Sequence, residues 1–376
     1  MNGPPSTDAP ETERILARGV NWLGDAVMST PALLRLREAR PHAQITLLTH
    51  EKLAGLWQNH PAIDGVITFS DRESAWSIGR RIRAGTFRVG VALPNSHRSA
   101  FELWLGRIPQ RVGYAGIGRN WFLTKRVQRS PGFVRMHKRS IGDIQALIRS
   151  SPVPHRQSLP VTGHQIHHYL HLAAALGANP DPVAPRLAVT DDEVEAVRRK
   201  FALGTERVLF GLNAGAEYGP AKRWPVERFV EAARELQKRT GCHWVIFGGP
   251  ADAPLADVIS ANLQKDSPAP PPVNLAGKTT LRELCAALKA CRVLLTNDTG
   301  PMHVAAAVGT PVVVPFGSTS PELTGPGLPG DSRHRLLTGE APCSPCFLRE
   351  CPIDFRCMTG ISVQRVVQAV LEAGQG

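Results

Sequence analysis

The chain has 376 residues, of which 42% are hydrophobic and 20% are charged, a composition that favours a globular protein over a disordered or fibrous one. At roughly 100–200 residues per domain, we expect two domains. No apolar run approaches the ~18 residues that a membrane span requires. Lys and Arg number 44 against 32 Asp and Glu, and the resulting net charge of +12 predicts an anionic partner: nucleic acid, an anionic membrane surface or a phosphorylated substrate.

The first 13 residues are polar and lack a basic stretch followed by an apolar one. We therefore expect a disordered tail, no signal peptide and a cytoplasmic protein. The positive charge is concentrated between Arg72 and Arg139, where fifteen Lys and Arg residues are opposed only by Glu73 and Glu102. Most of these cations are expected to be a solvated surface, but their density also predicts that this part of the chain faces something acidic.

Short apolar runs alternate with amphipathic segments, as expected for a parallel sheet wrapped by helices. In the first half, the predicted strands cover residues 14–20, 44–49, 66–69 and 88–93, and the predicted helices include residues 26–40, 140–150 and 164–177. In the second half, the predicted strands cover residues 207–213, 243–249, 292–298 and 311–316, and the predicted helices cover residues 191–202, 225–239, 281–291, 302–309 and 362–373.

A proline-rich stretch without periodicity, residues 178–189, separates the two halves, and Thr190 with Glu193 then forms a capping box for the next helix. The repeated alternation predicts an α/β protein with two Rossmann-like domains. We expect a tail at 1–13, domains at 14–185 and 186–360, and a C-terminal helix at 361–376.

Ligands in open α/β sheets bind where strands end in loops that lead to helices, and three such loops are unusual. The first is NWLGD, residues 21–25, between the first strand and the first helix. Gly24 permits close backbone approach. Asp25 is either an N-cap of that helix or a general base that activates a hydroxyl group.

The second loop is GAEYGPAKRWP, residues 215–225. It is glycine-rich, beginning at Gly215, and it places Lys222 and Arg223 just before a helix. Cations beside exposed backbone N–H groups favour phosphate, which we prefer to the alternative of a solvated Lys-Arg pair.

The third loop is TNDTGPMHVAAAVGTP, residues 296–311. Asp298, Thr299 and Gly300 lead into a helix of small residues, and His303 lies in its first turn. The free N–H groups at the start of this helix favour a pyrophosphate, and we prefer a ligand-binding role for His303 to core packing.

These loops, together with GVNWLGDAVMSTPAL (19–33) and LPNSHRSA (93–100), resemble the ADP-heptose:lipopolysaccharide heptosyltransferases of glycosyltransferase family 9, and the type II enzymes more than type I. The likeness spans nearly the whole chain after the tail. It implies a GT-B fold in which an N-terminal acceptor-binding domain and a C-terminal nucleotide-sugar-binding domain face each other across a cleft. It also implies inverting transfer of heptose from ADP-L-glycero-D-manno-heptose to the phosphorylated lipid A–inner core of lipopolysaccharide.

The resemblance assigns roles to individual residues. Asp25 corresponds to the catalytic base, in the domain opposite the donor loops, and Lys222 to the lysine that neutralises the donor phosphates. The other positions carried over for the donor are Asp298, Thr299, Gly300, His303 and Gly215, with Asp252 as a weaker candidate for the ribose. The positions carried over for the acceptor are Asn95, Ser96 and Arg98. No cofactor and no metal is implied, and a lipid-linked acceptor implies peripheral contact with the anionic inner face of the inner membrane.

Seven cysteines depart from this pattern. Cys242, Cys285 and Cys291 lie in apolar periodic segments and are expected in the core. The other four, in CSPCFLRECPIDFRC, leave two possibilities open, structural zinc or ordinary thiols: Cys343, Cys346, Cys351 and Cys357. Their short separations and the lack of a facing pair argue against zinc.

Other functions fit less well. Another GT-B glycosyltransferase with a different sugar or acceptor is the main alternative, and a nucleotide-sugar epimerase would not need an arginine-rich acceptor domain. A nucleic-acid-binding protein is suggested only by charge, because no helix-turn-helix, zinc-finger or aromatic-stacking signature is present. A dinucleotide-dependent oxidoreductase would carry G-x-G-x-x-G after the first strand, where this chain has GVNWLGD.

Overall fold

A computed structural model describes residues 12–130, 132–150, 159–265 and 269–375. The predicted disordered tail therefore lies almost entirely outside the described residues. The described chain separates into two compact units, each containing one six-stranded parallel sheet. The predicted α/β class is confirmed.

The sheet of the first unit has the order β3-β2-β1-β4-β5-β6. Its strands are β1 (Arg14–Arg18), β2 (Gln44–His50), β3 (Gly65–Phe69), β4 (Val89–Ala92), β5 (Gln110–Tyr114) and β6 (Lys125–Val127). The helices of the first half of the chain are α1 (Leu23–Met28), α2 (Thr30–Ala39), α3 (Ala75–Ala84), α4 (His97–Leu105), α5 (Ile141–Ser150) and α6 (Gln165–Ala174). Strands β1, β2 and β4 are almost wholly buried, which explains why they read as continuous apolar runs.

The sheet of the second unit has the order β12-β11-β10-β7-β8-β9. Its strands are β7 (Leu209–Asn213), β8 (His243–Ile246), β9 (Val273–Asn274), β10 (Val293–Thr296), β11 (Val312–Phe316) and β12 (Arg335–Thr338). The accompanying helices are α7 (Asp191–Lys200), α8 (Val226–Thr240), α9 (Ala253–Gln264), α10 (Leu281–Lys289), α11 (Gly300–Ala307), α12 (Pro321–Thr324), α13 (Arg356–Thr359) and α14 (Val363–Ala373).

The two sheets share one topology. If the strands of each unit are counted in chain order, both sheets read 3-2-1-4-5-6, the order of a dinucleotide-binding Rossmann fold. In such a sheet the strand order reverses between the first and fourth strands. The loops that leave those two strands diverge and open a crevice for a ligand. In the second unit these strands are β7 and β10, which are hydrogen-bonded neighbours.

The capping box at Thr190 and Glu193 is confirmed at the start of α7. The predicted single helix over 26–40 is wrong, because α1 ends at Met28 and α2 begins at Thr30. The hydroxyl of Ser29 donates to the carbonyl oxygen of Ala26, and Pro31 has no N–H to continue the hydrogen-bond ladder of α1.

The units differ from the predicted domain boundaries. Segments 22–31 and the described part of 131–168 group with the second unit, whereas residues 169–181 group with the first. The final helix α14 is part of the second unit's core, where Val366 and Val370 are fully buried. Among the residues that the structure describes, no helix is both long and apolar enough to cross a bilayer.

Candidate functional site

The loops that follow β7 and β10 are joined by one buried asparagine. Asn297, at the carboxyl end of β10, is fully buried. Its side-chain nitrogen donates to the carbonyl oxygen of Ala214 at 2.7 Å, and its side-chain oxygen accepts from the backbone N–H of Trp224 at 2.9 Å. This side chain therefore holds the first and last parts of the β7 loop beside the β10 loop.

The same two loops meet through an ion pair. The Lys222 ammonium lies 2.7 Å from a carboxylate oxygen of Asp298, and the two side chains are 14% and 4% exposed. The ammonium also lies 3.4 Å from the Asp298 carbonyl oxygen and 5.1 Å from the ring centroid of Tyr218. The Thr319 hydroxyl, from the loop after β11, donates to the Asp298 carboxylate. Two residues singled out by the sequence are thus brought into direct contact.

Helix α11 starts immediately after Asp298. Thr299 is its N-cap in extended conformation, and Gly300 is its first residue. The Thr299 side chain makes no capping hydrogen bond, so it leaves the N–H groups of the first turn to other acceptors. The positive end of an eight-residue helix therefore lies next to the Lys222 ammonium.

His303 lies in the first turn of α11 and is 5% exposed. Burial lowers the pKa of its imidazole to about 4, with the neighbouring Lys222, His164 and His334 adding to the effect and the Asp298 carboxylate opposing it. The ring is therefore neutral at pH 7, and the positive charge at this site comes from Lys222 and the helix end.

Gly215 and Asp252 are also brought together. A Cβ atom on Gly215 would lie 2.5 Å from a carboxylate oxygen of Asp252, so a side chain at position 215 would displace this carboxylate. The Asp252 carboxylate accepts a hydrogen bond from the Gly249 backbone at 3.0 Å. This carboxylate lies against the start of the β7 loop.

Asp25 is the third residue of α1, whose N-cap is Trp22. The alternative that Asp25 is itself an N-cap is therefore wrong. Helix α1 packs against α11 within the second unit, where the side chain of Leu23 lies against Gly300. A Cβ atom on Gly24 would lie 2.7 Å from Cδ2 of His303.

The sequence predicts that Asp25 belongs to the domain opposite the donor loops, whereas its segment groups by contact with those loops. Residues 22–31 group with those loops because Gly24 lets α1 approach α11 closely. The half-buried carboxylate of Asp25 is thus attached to the helix that contacts the start of α11.

The three acceptor candidates lie in the first unit, after β4. Asn95 accepts a hydrogen bond from the buried Arg119 guanidinium at 3.3 Å, and Ser96 is the N-cap of α4. Arg98 pairs with the buried Glu102 carboxylate at 2.8 Å. The other oxygen of this carboxylate accepts a hydrogen bond from Arg18 at 2.8 Å. Ser96, as the N-cap, and Arg98, in its ion pair, therefore both have partners within the first unit.

The four clustered cysteines line one small cavity in the second unit, with Ala221 and Ser318 among its other lining residues. Within the described ranges, no three His, Cys, Asp or Glu side chains are placed to hold a metal ion. Burial raises the pKa of the Cys343 and Cys346 thiols, and that of Cys357 to about 12, with neighbouring thiols adding to the effect. The core positions predicted for Cys242, Cys285 and Cys291 are confirmed.

Sequence reasoning missed several residues of the site. Asn297 and Thr319 both follow strands of the second sheet at the end where the site lies, which is the one local signal that could have identified them. The ring of Tyr218 contacts two cations, since the Arg349 guanidinium is also 5.2 Å from its centroid. That arrangement depends on a contact between segments 131 residues apart and has no local signal.

Two sheets of this order, with a lysine and a helix N-terminus meeting where the strand order reverses, define a protein with tandem Rossmann-like units and a candidate anion site. A model of glycosyltransferase family 9 (heptosyltransferase) matches residues 136–355. Lipopolysaccharide heptosyltransferase 2 of Salmonella typhimurium is 30% identical over 339 residues, which cover 87% of this chain and 89% of that protein. The protein of the same name from Escherichia coli K12 is also 30% identical, with the same coverage.

A solved structure of E. coli ADP-heptose LPS heptosyltransferase II superimposes with a TM-score of 0.77 and 26% identity, covering 96% of this chain and 98% of that one. The chain belongs to glycosyltransferase family 9, the heptosyltransferases, and its fold class is GT-B.

Proposed function

We propose that this protein is an inverting glycosyltransferase that transfers heptose from ADP-L-glycero-D-manno-heptose to the inner core of lipopolysaccharide, as a type II enzyme. The observation that carries the proposal is the contact between Lys222 and Asp298 at the N-terminus of α11. Two relatives that are 30% identical and named lipopolysaccharide heptosyltransferase 2 support the choice of sugar and acceptor.

The donor diphosphate is proposed to bind at the N-terminus of α11. An ammonium group has three N–H donors, and the oxygens of Asp298 account for two of those on Lys222. The third is assigned to a phosphate oxygen, with the backbone N–H groups of Thr299 and Gly300 at the start of α11 beside it. Negative charge grows on ADP as the bond to the sugar breaks, and these groups stabilise that charge without moving.

Neighbouring residues complete the proposed donor site. Asp252, against Gly215, is placed to accept hydrogen bonds from ribose hydroxyl groups. His303 is neutral and packs under Gly24, so its proposed role is to hold α1 at the start of α11.

Asp25 is proposed as the general base that takes the proton of the acceptor hydroxyl. The support is its place on α1, which is fixed against the helix that would bind the leaving group. Attack of the deprotonated oxygen on the anomeric carbon, from the face opposite to ADP, inverts the configuration at that carbon.

The variant Asp25→Asn tests this role. We expect turnover to fall at least ~100-fold, the usual scale for loss of a general base, while ADP affinity measured by calorimetry is unchanged. Asp192→Asn, on the exposed start of α7, is the matched control and should retain full activity. Near wild-type turnover of Asp25→Asn at saturating acceptor would reject the assignment.

The acceptor is proposed to be the phosphorylated lipid A–inner core, bound through Asn95, Ser96 and Arg98 at the carboxyl end of β4. The excess of cations between Arg72 and Arg139 supports an anionic acceptor. Such an acceptor places the enzyme in the cytoplasm, in peripheral contact with the anionic inner face of the inner membrane. No cofactor and no nucleic acid is part of the proposed reaction.

The decisive experiment incubates purified protein with a panel of nucleotide sugars and a truncated inner-core acceptor, and then weighs the products by mass spectrometry. A mass gain of one heptose, with ADP-heptose alone among the donors, is the expected result. Transfer of a different sugar would keep the glycosyltransferase assignment and overturn the choice of donor. A change in the nucleotide sugar without transfer would indicate an epimerase.

A further inference from the structure

Two tryptophans are exposed on neighbouring helices of the first unit. Trp76, at the start of α3, is 65% exposed, and Trp104, at the end of α4, is 44% exposed. The ring of Phe101 lies between them, with its centroid 5.9 Å from that of Trp76 and 5.8 Å from that of Trp104. Large aromatic side chains that form one exposed cluster on a surface indicate an interaction site.

The helical period explains why this cluster faces outward. On α3, Ile78 and Ile82 are fully buried, four residues apart. Trp76, Arg80 and Arg83 follow the same period on the solvent side of the helix. These three side chains are therefore not part of the core, and they are exposed on the surface of the folded unit.

Arginines surround the two tryptophans. Arg80, Arg83 and Arg107 are exposed and line one groove together with both indole rings. Within residues 12–130, 132–150, 159–265 and 269–375, no carboxylate lies within ion-pair distance of these three guanidinium groups.

The two glutamates between Arg72 and Arg139 pair with arginines outside this groove. Glu73 pairs with Arg81 at 3.0 Å, and Glu102 is buried between Arg18 and Arg98. The positive charge of the surface is therefore not neutralised by its own unit.

We propose that this tryptophan–arginine face, formed by Trp76, Arg80, Arg83, Trp104 and Arg107, docks the protein on an anionic phospholipid bilayer. Indole rings favour the boundary between headgroups and acyl chains, because one part of the ring is apolar and its N–H is polar. Each arginine held near an anionic membrane surface strengthens binding by about fivefold. An anionic bilayer satisfies both kinds of side chain on an open surface.

The position of α4 fits this inference, which rests on the proposed function only for the location of the acceptor. Ser96 and Arg98, the proposed acceptor residues, lie at the start of α4, and Trp104 lies at its end. At 1.5 Å per residue, roughly 9 Å separates the Arg98 and Trp104 positions along the helix axis. A lipid-linked sugar could therefore reach the start of α4 while the end of that helix contacts the lipid surface.

Vesicle co-sedimentation tests the proposal. Full-length protein should bind vesicles of phosphatidylcholine mixed with phosphatidylglycerol and should not bind phosphatidylcholine alone. R80E/R83E should weaken binding by about 25-fold or more, since it removes two favourable charges and adds two unfavourable ones. W76S/W104S should weaken it by at least about tenfold. The matched control R199E/K238E, which reverses two exposed cations of the second unit, should bind within twofold of wild type.

Several outcomes would overturn the proposal. Equal losses of vesicle binding in R80E/R83E and R199E/K238E would show that binding depends on the net charge of the protein and not on this face. A dimer seen by analytical ultracentrifugation and abolished by W76S/W104S, without vesicle binding, would assign the face to a second copy. Binding of a single-stranded oligonucleotide, without vesicle binding, would assign it to nucleic acid.

A transfer assay separates this proposal from the proposed function. With a deacylated, water-soluble acceptor, W76S/W104S should turn over at the wild-type rate, because no membrane is involved. Failure of heptose transfer in the wild type would overturn the proposed function and leave the vesicle result unaffected.

Discussion

The side chain of Lys222 has two roles that mutation can separate: it stabilises the fold through its ion pair with Asp298, and it is proposed to bind the donor phosphates. In the structure its ammonium pairs with a carboxylate that is 4% exposed, so Lys222→Ala leaves the Asp298 charge buried without its ion-pair partner. Breaking a buried pair in this way costs about 3–5 kcal/mol, and the 14% exposure of Lys222 favours the lower figure. At roughly 2–4 °C per kcal/mol for a unit of this size, the melting temperature should fall by about 6–12 °C.

The double variant Lys222→Ala/Asp298→Asn isolates the ligand role. Because the neutral amide no longer requires a cation, the free energy of unfolding should return to within about 1 kcal/mol of wild type. Affinity for ADP should remain low, since the cation proposed to meet the phosphates is still absent. Asp298→Asn alone keeps that cation and should retain ADP affinity.

Calorimetry with ADP and denaturant unfolding of all four proteins complete the cycle. Wild-type ADP affinity in the double variant would refute the phosphate role of Lys222. A wild-type melting temperature for Lys222→Ala would show that the ion pair contributes no stability, and the reasoning from burial would fail.

Gly24→Ala should lower the free energy of unfolding by about 1–3 kcal/mol and reduce turnover, because its Cβ would lie 2.7 Å from Cδ2 of His303. Gly142→Ala, with no atom closer than 3.7 Å, is the control, and equal melting of both variants would contradict the packing argument. Burial lowers the pKa of His164, His303 and His334 to about 4, so between pH 6.5 and 4 the unfolded chain binds more protons. As the pH is lowered through that window, the free energy of unfolding should decrease by up to about 1.4 kcal/mol per pH unit for each histidine. Denaturation curves at pH 7.5 and pH 5 that coincide would refute this. Metal analysis after chelator-free purification should give far less than one metal per chain, and a stoichiometric metal would contradict the thiol assignment of Cys343, Cys346, Cys351 and Cys357.

The central strands could be predicted from the sequence because they are buried on both faces and read as uninterrupted apolar runs. Strands β5, β6, β9 and β12 were not predicted. Three of them are the short edge strands β6, β9 and β12, and β5 begins with Gln110 and Arg111, so the apolar signal is weak.

The candidate site was predictable only in part. The glycines, Lys222 and Asp298 stand out because they follow strands at the ligand-binding end of a sheet. The Lys222–Asp298 ion pair joins residues 76 positions apart, and Asn297 links loops through two backbone contacts. Such contacts are set by tertiary packing and leave no periodic pattern in the chain.

The discontinuity of the second unit limits how the gene can be divided. A fragment that starts at Pro182 would contain the whole second sheet but would lack the described part of 131–168, with Ile144 of the core, and α1, whose Leu23 lies against Gly300. That fragment would expose the start of α11 to solvent and lose the carboxylate of Asp25. Supplying residues 22–31 as a fused or separately added peptide would restore both, which makes α1 a natural target for a split-protein reporter of donor binding.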